Sequence, residues 1–175
     1  CAFVDRIMNA DNASSNDPIP TVCVCSRLRA ERILHGQDPL ASLRSLLSIG
    51  DPGQPGCSGP RMPQFVVRLE FSDLLGPSTK DVEQIVAFAS KARQLQGACL
   101  VHCEAGISRS TAATIVLFAS WFGPGREQDA ALALLRLVPR AMPNAMLVAI
   151  ADRCLDRQGA LIDAVDETFL SLRMA

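Results

Sequence analysis

The chain has 175 residues, 49% of them hydrophobic and 20% charged, with a formal net charge of −1. That length suits one domain with a real core, and the near-neutral balance speaks against a surface built for nucleic acid or another polyanion. No apolar run approaches the ~18 residues of a membrane span, so no membrane partner is expected.

Residues 1–19, polar across 9–18, read as a flexible leader, and 20–175 as a single domain. Residues 1–20 show neither the basic start nor the apolar core of a signal peptide. Residues 21–25 form a β-type run. Ser26 is expected to cap a helix through about His35, stopped by Gly36, and Asp38-Pro39 to open another short helix. Residues 46–49 read as a buried strand. Residues 50–63 hold four glycines and four prolines and read as loop. A further β run covers 65–71, followed by a turn-rich connection over 72–77.

Helical periodicity runs from Thr79 to about Leu95, with Val82, Ile85, Val86, Ala89 and Ala92 on one face. Ser78 with Asp81 has the spacing of a capping box. Gly97 ends that helix, and 98–101 form a strand. Residues 110–122 are apolar nearly all round, as in a buried central helix, and Gly123-Pro124-Gly125 breaks it. Helices follow over 127–138, 144–157 and 160–172. Strands alternating with helices predict an α/β domain: a mostly parallel sheet of about four to five strands, flanked by helices on both faces.

Seven cysteines stand at 1, 23, 25, 57, 99, 103 and 154, with no Cys-x2-Cys pair and only His35 and His102 beside them. A zinc site and a disulfide framework both fit poorly, so a reducing cytoplasm is the expected compartment.

The chemistry concentrates at residues 99–110, Cys-Leu-Val-His-Cys-Glu-Ala-Gly-Ile-Ser-Arg-Ser. An apolar strand ends in His102-Cys103, a tight loop contains Gly106, and Arg109-Ser110 open a long apolar helix. Converging N–H groups at a helix N-terminus form an anion site, and Arg suits forked binding of phosphate oxygens. A thiol placed there is expected to ionise readily. Attack of a thiolate on a bound phosphate ester follows.

The string His102-Cys103-x5-Arg109-Ser110 resembles the signature loop of the cysteine-dependent protein tyrosine and dual-specificity phosphatases. With Gly-Ile-Ser-Arg-Ser-Thr-Ala-Ala at 106–113 and Pro143-Asn144 downstream, the pattern looks most like compact bacterial tyrosine-phosphatase-like proteins. The resemblance runs from about residue 65 to 158; upstream it rests on strand order alone. It implies Cys103 as nucleophile and Arg109 as the residue that grips phosphate oxygens and stabilises their transition-state charge. The backbone N–H groups of Glu104, Ala105, Gly106, Ile107, Ser108 and Arg109 would cradle the phosphate. Ser110 would donate to the Cys103 sulfur, or serve only as the N-cap of the following helix. His102 is expected to position rather than catalyse, because its side chain leaves the opposite face of the strand.

The resemblance also implies a general acid on the loop after the preceding strand. Asp73 stands there, 30 residues ahead of Cys103; a plain turn-forming Asp is the alternative reading. Arg140…Pro143-Asn144 is similar to a downstream segment of the dual-specificity phosphatases and makes Asn144 a candidate support for the loop. That segment departs from the pattern at Leu147, where Phe is usual, and at Ile150, where Gln is common.

The implied reaction removes phosphate from phosphotyrosine, with phosphoserine and phosphothreonine also open, through a phosphocysteine intermediate. It needs no cofactor and no metal. The loop carries no basic residue at Glu104, Ala105 or Ile107, against inositol polyphosphates as substrates. The chain contains no Tyr, so it lacks a Tyr-bearing recognition loop. A phosphorylated protein or peptide is the expected partner, and a monomer the expected state. Two rivals stand beside this reading: a rhodanese-type sulfurtransferase, and a phosphoprotein-binding module without turnover. His102, Arg109-Ser110 and Asp73 favour the phosphatase over the first; survival of nucleophile, Arg and acid favours it over the second.

Overall fold

The computed structural model describes residues 19–170, so the expected leader lies, but for residue 19, outside the described residues. In chain order the elements are β1 (Thr21–Ser26), α1 (Arg27–Leu34), β2 (Leu43–Gly50), β3 (Phe65–Glu70), α2 (Thr79–Leu95), β4 (Ala98–Cys103), α3 (Arg109–Phe122), α4 (Glu127–Leu137), α5 (Ala145–Cys154) and α6 (Ala160–Leu170). The four strands lie in the order β1-β4-β2-β3, and every pairing is parallel. The fold is the α/β arrangement expected, with four strands.

All six residues of β4 are buried. A strand covered on both faces reads as a continuous apolar run, and Ala98–Cys103 is one, interrupted by His102. Cys99, Val101 and Cys103 face the larger core with Val22, Leu47 and Ile49. Ala98 and Leu100 face the smaller one with Cys23, Cys25 and Leu46. Helices α2 to α6 build the larger core; Ala30, Ile33 and Leu34 of α1, with Leu40 and Cys57, cover the other face. Helices therefore lie on both faces, five against one.

α2 keeps its expected limits because both halves of its capping box form. Ser78 N–H donates to Asp81 Oδ2 at 2.8 Å, and Asp81 N–H donates to Ser78 Oγ at 3.3 Å. The short helix expected at Asp38-Pro39 does not form. The Asp38 carboxylate instead accepts from Arg32 at 2.8 Å and pairs with Arg29 at 3.5 Å, finishing α1 rather than capping a new helix. α5 ends at Cys154, short of Arg157, which turns back to donate to Ala119 O of α3 at 3.0 Å. α3 is buried over nearly its whole length, and its Trp121 Nε1–H donates to Ala89 O of α2 at 2.8 Å.

A parallel sheet delivers all its strand ends to one side. Ser26, Gly50, Glu70 and Cys103 finish there, and ligands of such sheets bind outside the carboxyl ends of the strands. Among the described residues no helix is long and apolar enough to cross a membrane.

Candidate functional site

Cys103 closes β4 with 2% of its surface exposed, and Arg109, at 5%, opens α3. Between them the chain turns back on itself through Gly106 at φ +77°. A side chain there would be strained by that angle and would also collide. A Cβ would lie 2.5 Å from Cys25 C, 2.6 Å from Ser26 N and 2.8 Å from Cys25 O. Glycine is thus required twice over. The same turn aims Gly106 N–H at Cys103 Sγ, 3.3 Å away, while Ser110 Oγ lies 3.1 Å from the sulfur. Glu104 O accepts from Arg27 N–H at 3.1 Å, fastening the loop to the start of α1. The backbone N–H groups of Ala105, Ile107 and Ser108 donate to no group among the described residues, which is the condition of a ready anion cradle.

Ser110 is not the N-cap. α3 already closes at Ser108, whose carbonyl accepts from Ala112 N–H at 3.0 Å, so Ser110 sits inside the first turn with its hydroxyl turned to the sulfur. No side chain caps α3; the Thr111 hydroxyl shares its hydrogen between Ser108 O, at 2.8 Å, and Ile107 O, which ties the first turn of the helix to the loop.

A buried cation at a helix N-terminus is electrostatically misplaced unless something offsets it. Arg109 Nη1 donates to Asp51 Oδ1 and to Phe71 O, both at 2.9 Å. Both hydrogens of that one nitrogen are used, which leaves the Nε–Nη2 edge as the fork for an oxyanion. Asp51 follows directly on β2 and escapes a sequence reading, because it opens a Gly- and Pro-rich loop that looks like a spacer. Gln54 in the same loop is a second hidden part. Its Oε1 accepts from Asp51 N–H at 3.1 Å, and its Nε2 donates to Glu104 Oε2 at 2.8 Å. The 51–54 turn therefore holds the 104–108 loop from the side.

Asp73 comes in from the loop after β3. Its Oδ1 accepts from Ser108 Oγ at 2.7 Å and from Asn144 Nδ2 at 2.9 Å, and Asn144 also donates to Asp73 O at 2.8 Å. Asn144 caps α5 with its other amide atom, Oδ1 accepting from Leu147 N–H at 2.9 Å. Among the described residues the hydrogen bonds of Asn144 thus reach the 104–108 loop through Asp73, while Met142 N–H donates directly to Ile107 O at 2.9 Å.

His102 points away from this group, in register with Cys25 and Ser48 on the other face of the sheet. Its Nδ1–H donates to Cys103 O at 3.3 Å, and its Nε2 is buried without a partner. Burial, with help from the Arg68 and Arg27 charges, pushes the ring down to about 4, so it is a neutral donor that fixes the carbonyl of Cys103. Cys23 and Cys25 share its face and are separated from Cys103 by the sheet. Burial pushes Cys99 up to about 12 and Cys57 up to about 11. These are core thiols.

No protein-family model matches the chain, and no curated protein sequence matches it significantly. Solved structures do match. Human DUSP28 is 22% identical with a TM-score of 0.58, over 81% of this chain and 95% of that one. DUSP15 is 22% identical with a TM-score of 0.61, over 86% and 94%. PTPMT1 in complex with PI(5)P is 17% identical with a TM-score of 0.58, over 82% and 94%. At such identities the likeness is one of fold: the chain has the fold of the dual-specificity phosphatases.

Gly106→Ala is expected to cost about 1–3 kcal/mol of folding stability through strain at a left-handed position, read by urea unfolding. An unchanged midpoint would remove the steric argument. A second prediction concerns acid. The unfolded chain protonates His102 near the ordinary value of 6.5 and the folded one near 4. The unfolded state therefore holds more protons between those values, and stability falls as pH drops through that window, by up to roughly 3 kcal/mol. His102→Asn is expected to lose less over the same interval in urea titrations.

Proposed function

We propose that the chain hydrolyses phosphomonoesters on protein side chains, phosphotyrosine first, with phosphoserine and phosphothreonine also accepted, through a phosphocysteine. The observation that carries this reading is the hydrogen bond between the Asp73 carboxylate and Ser108. It puts a proton carrier from a separate loop on the rim of the turn that holds Cys103 and Arg109. A sulfur-transfer site would have no use for that group.

Binding comes first. The phosphoryl oxygens take the N–H groups of the 104–108 loop and the Nε–Nη2 edge of Arg109, leaving phosphorus above Cys103 Sγ. The thiolate attacks, a sulfur–phosphorus bond forms, and the ester oxygen–phosphorus bond breaks. Protonated Asp73 gives its proton to the departing oxygen. Arg109 and the loop N–H groups stabilise charge on the equatorial oxygens, where fixed dipoles contribute most. Asp73, now a carboxylate, takes a proton from water as water attacks phosphorus. The sulfur–phosphorus bond breaks, and the leaving thiolate is stabilised by Gly106 N–H and Ser110 Oγ.

Each role has a separate kinetic signature on aryl phosphates. Cys103→Ser is expected to abolish turnover while phosphate-site binding persists. Asp73→Ala should lower kcat by about 10²-fold or more and make the rate fall steeply as the leaving group becomes more basic. Wild-type inactivity with tight phosphopeptide binding would replace the enzyme by a binding module. Asp51→Ala, which frees one side of Arg109, should cost about tenfold in kcat, and Asp51→Asn, which keeps an oxygen acceptor, should recover most of it.

A further inference from the structure

Five of the large hydrophobic side chains left exposed lie on segments that meet at the 104–108 loop. Leu74 is 84% exposed and Leu75 80%, and Ile107, Met142 and Met146 join them. Their adjacency follows from the backbone. Leu74 and Leu75 directly follow Asp73, which is bonded to Ser108 and Asn144. Met142 N–H donates to Ile107 O. Met146 closes against Gly76, where a Cβ would meet its Sδ at 3.1 Å. Leu28, 70% exposed, stands one residue past the Arg27 N–H that holds Glu104 O, on the other bank. Apolar residues scattered singly need no explanation, but an apolar patch gathered around one site marks a binding surface.

We infer that this collar selects the substrate: a phosphorylated protein segment with large aliphatic or aromatic residues beside the phosphorylated side chain and no acidic ones. The inference rests on the phosphatase reading and refines it. Continuity fixes the occupant, because Ile107 belongs both to the anion loop and to the collar. An extended ligand whose phosphate is seated there lies over these side chains. A small phosphate ester fills the loop alone; side chains from three separate segments need an extended ligand. Charge chooses between a peptide and a lipid surface. Exposed carboxylates on this rim include Glu70, Asp73 and Glu104, set against Arg140; Asp51 is paired with Arg109, as Arg27 and Arg29 are with Glu31 and Asp38. Such a rim repels an anionic leaflet and acidic flanking residues alike.

Three phosphotyrosyl peptides test this, identical but for flanking positions occupied by Leu and Phe, by Ser, or by Asp. The apolar peptide is expected to exceed the Ser peptide in kcat/KM by at least about tenfold, with the Asp peptide slowest. Leu74→Ser/Leu75→Ser should bring the Leu/Ser ratio to within about twofold of unity, and Met142→Ser should shrink it in the same direction. Ratios within one variant cancel any general loss of rate. Equal rates for the three wild-type peptides overturn the inference. So does a flat ratio with vesicle association or self-association that the Leu double variant abolishes, which would give the collar to a lipid surface or to a second copy. Should the wild type turn over no phosphate ester, the phosphatase reading fails separately. The collar is then judged by the affinities of Cys103→Ser for the same peptides, by fluorescence polarisation.

Discussion

Gly106 lays a bare Cα against the backbone at the end of β1, closer than any side chain could come, and the rest of the site is built on that approach. The turn it permits directs one N–H at the sulfur of Cys103 and leaves its neighbours without protein partners. It also lets Glu104 O reach the first amide of α1. Cys103 is therefore located by three elements at once: β4 that carries it, β1 that the loop presses on, and α3 whose first turn supplies Ser110. Cys103 and its loop are held in this way from both faces of the sheet, and pre-organised dipoles of that kind need little rearrangement.

The electrostatics follow from the same packing. Arg109 is a nearly dry cation at the positive end of a helix, a position with a standing demand for negative charge. Asp51 meets part of it through Nη1, and the rest is left for an oxyanion at the opposite edge. Asp51 thus does two things: it makes the buried cation tolerable, and it aims the fork. Asp73 and Asn144 complete the far side, where one side-chain amide both caps α5 and steadies the Asp73 carboxylate.

Much of this was legible in the chain. α2 kept its limits because Ser78 and Asp81 carry a local signal that the fold does not override. The 103–110 string placed strand end, loop and helix start because each has its own composition cue. Other features depended on partners far away in sequence. Asp38 looked like a helix opener until Arg32 and Arg29 claimed its carboxylate. Ser110 read either as a partner of the Cys103 sulfur or as a cap; the helix closes two residues sooner, at Ser108, and the hydroxyl lies at the sulfur. Asp51 and Gln54 were hidden because a loop of glycines and prolines shows no periodicity, and only the sheet order brings the end of β2 beside the end of β4. Asn144 was readable as a helix start, while its hold on Asp73 spans 71 residues.

The central claim is that Cys103 carries the phosphoryl group between the two half-reactions. Rapid acid quenching of the enzyme with an aryl phosphate, followed by mass spectrometry of its peptides, tests it most directly. A phosphoryl group on the peptide containing Cys103, absent from Cys103→Ser and released on continued reaction with water, is the result predicted. Steady turnover with no trapped phosphoenzyme, or with the label on another residue, would contradict it.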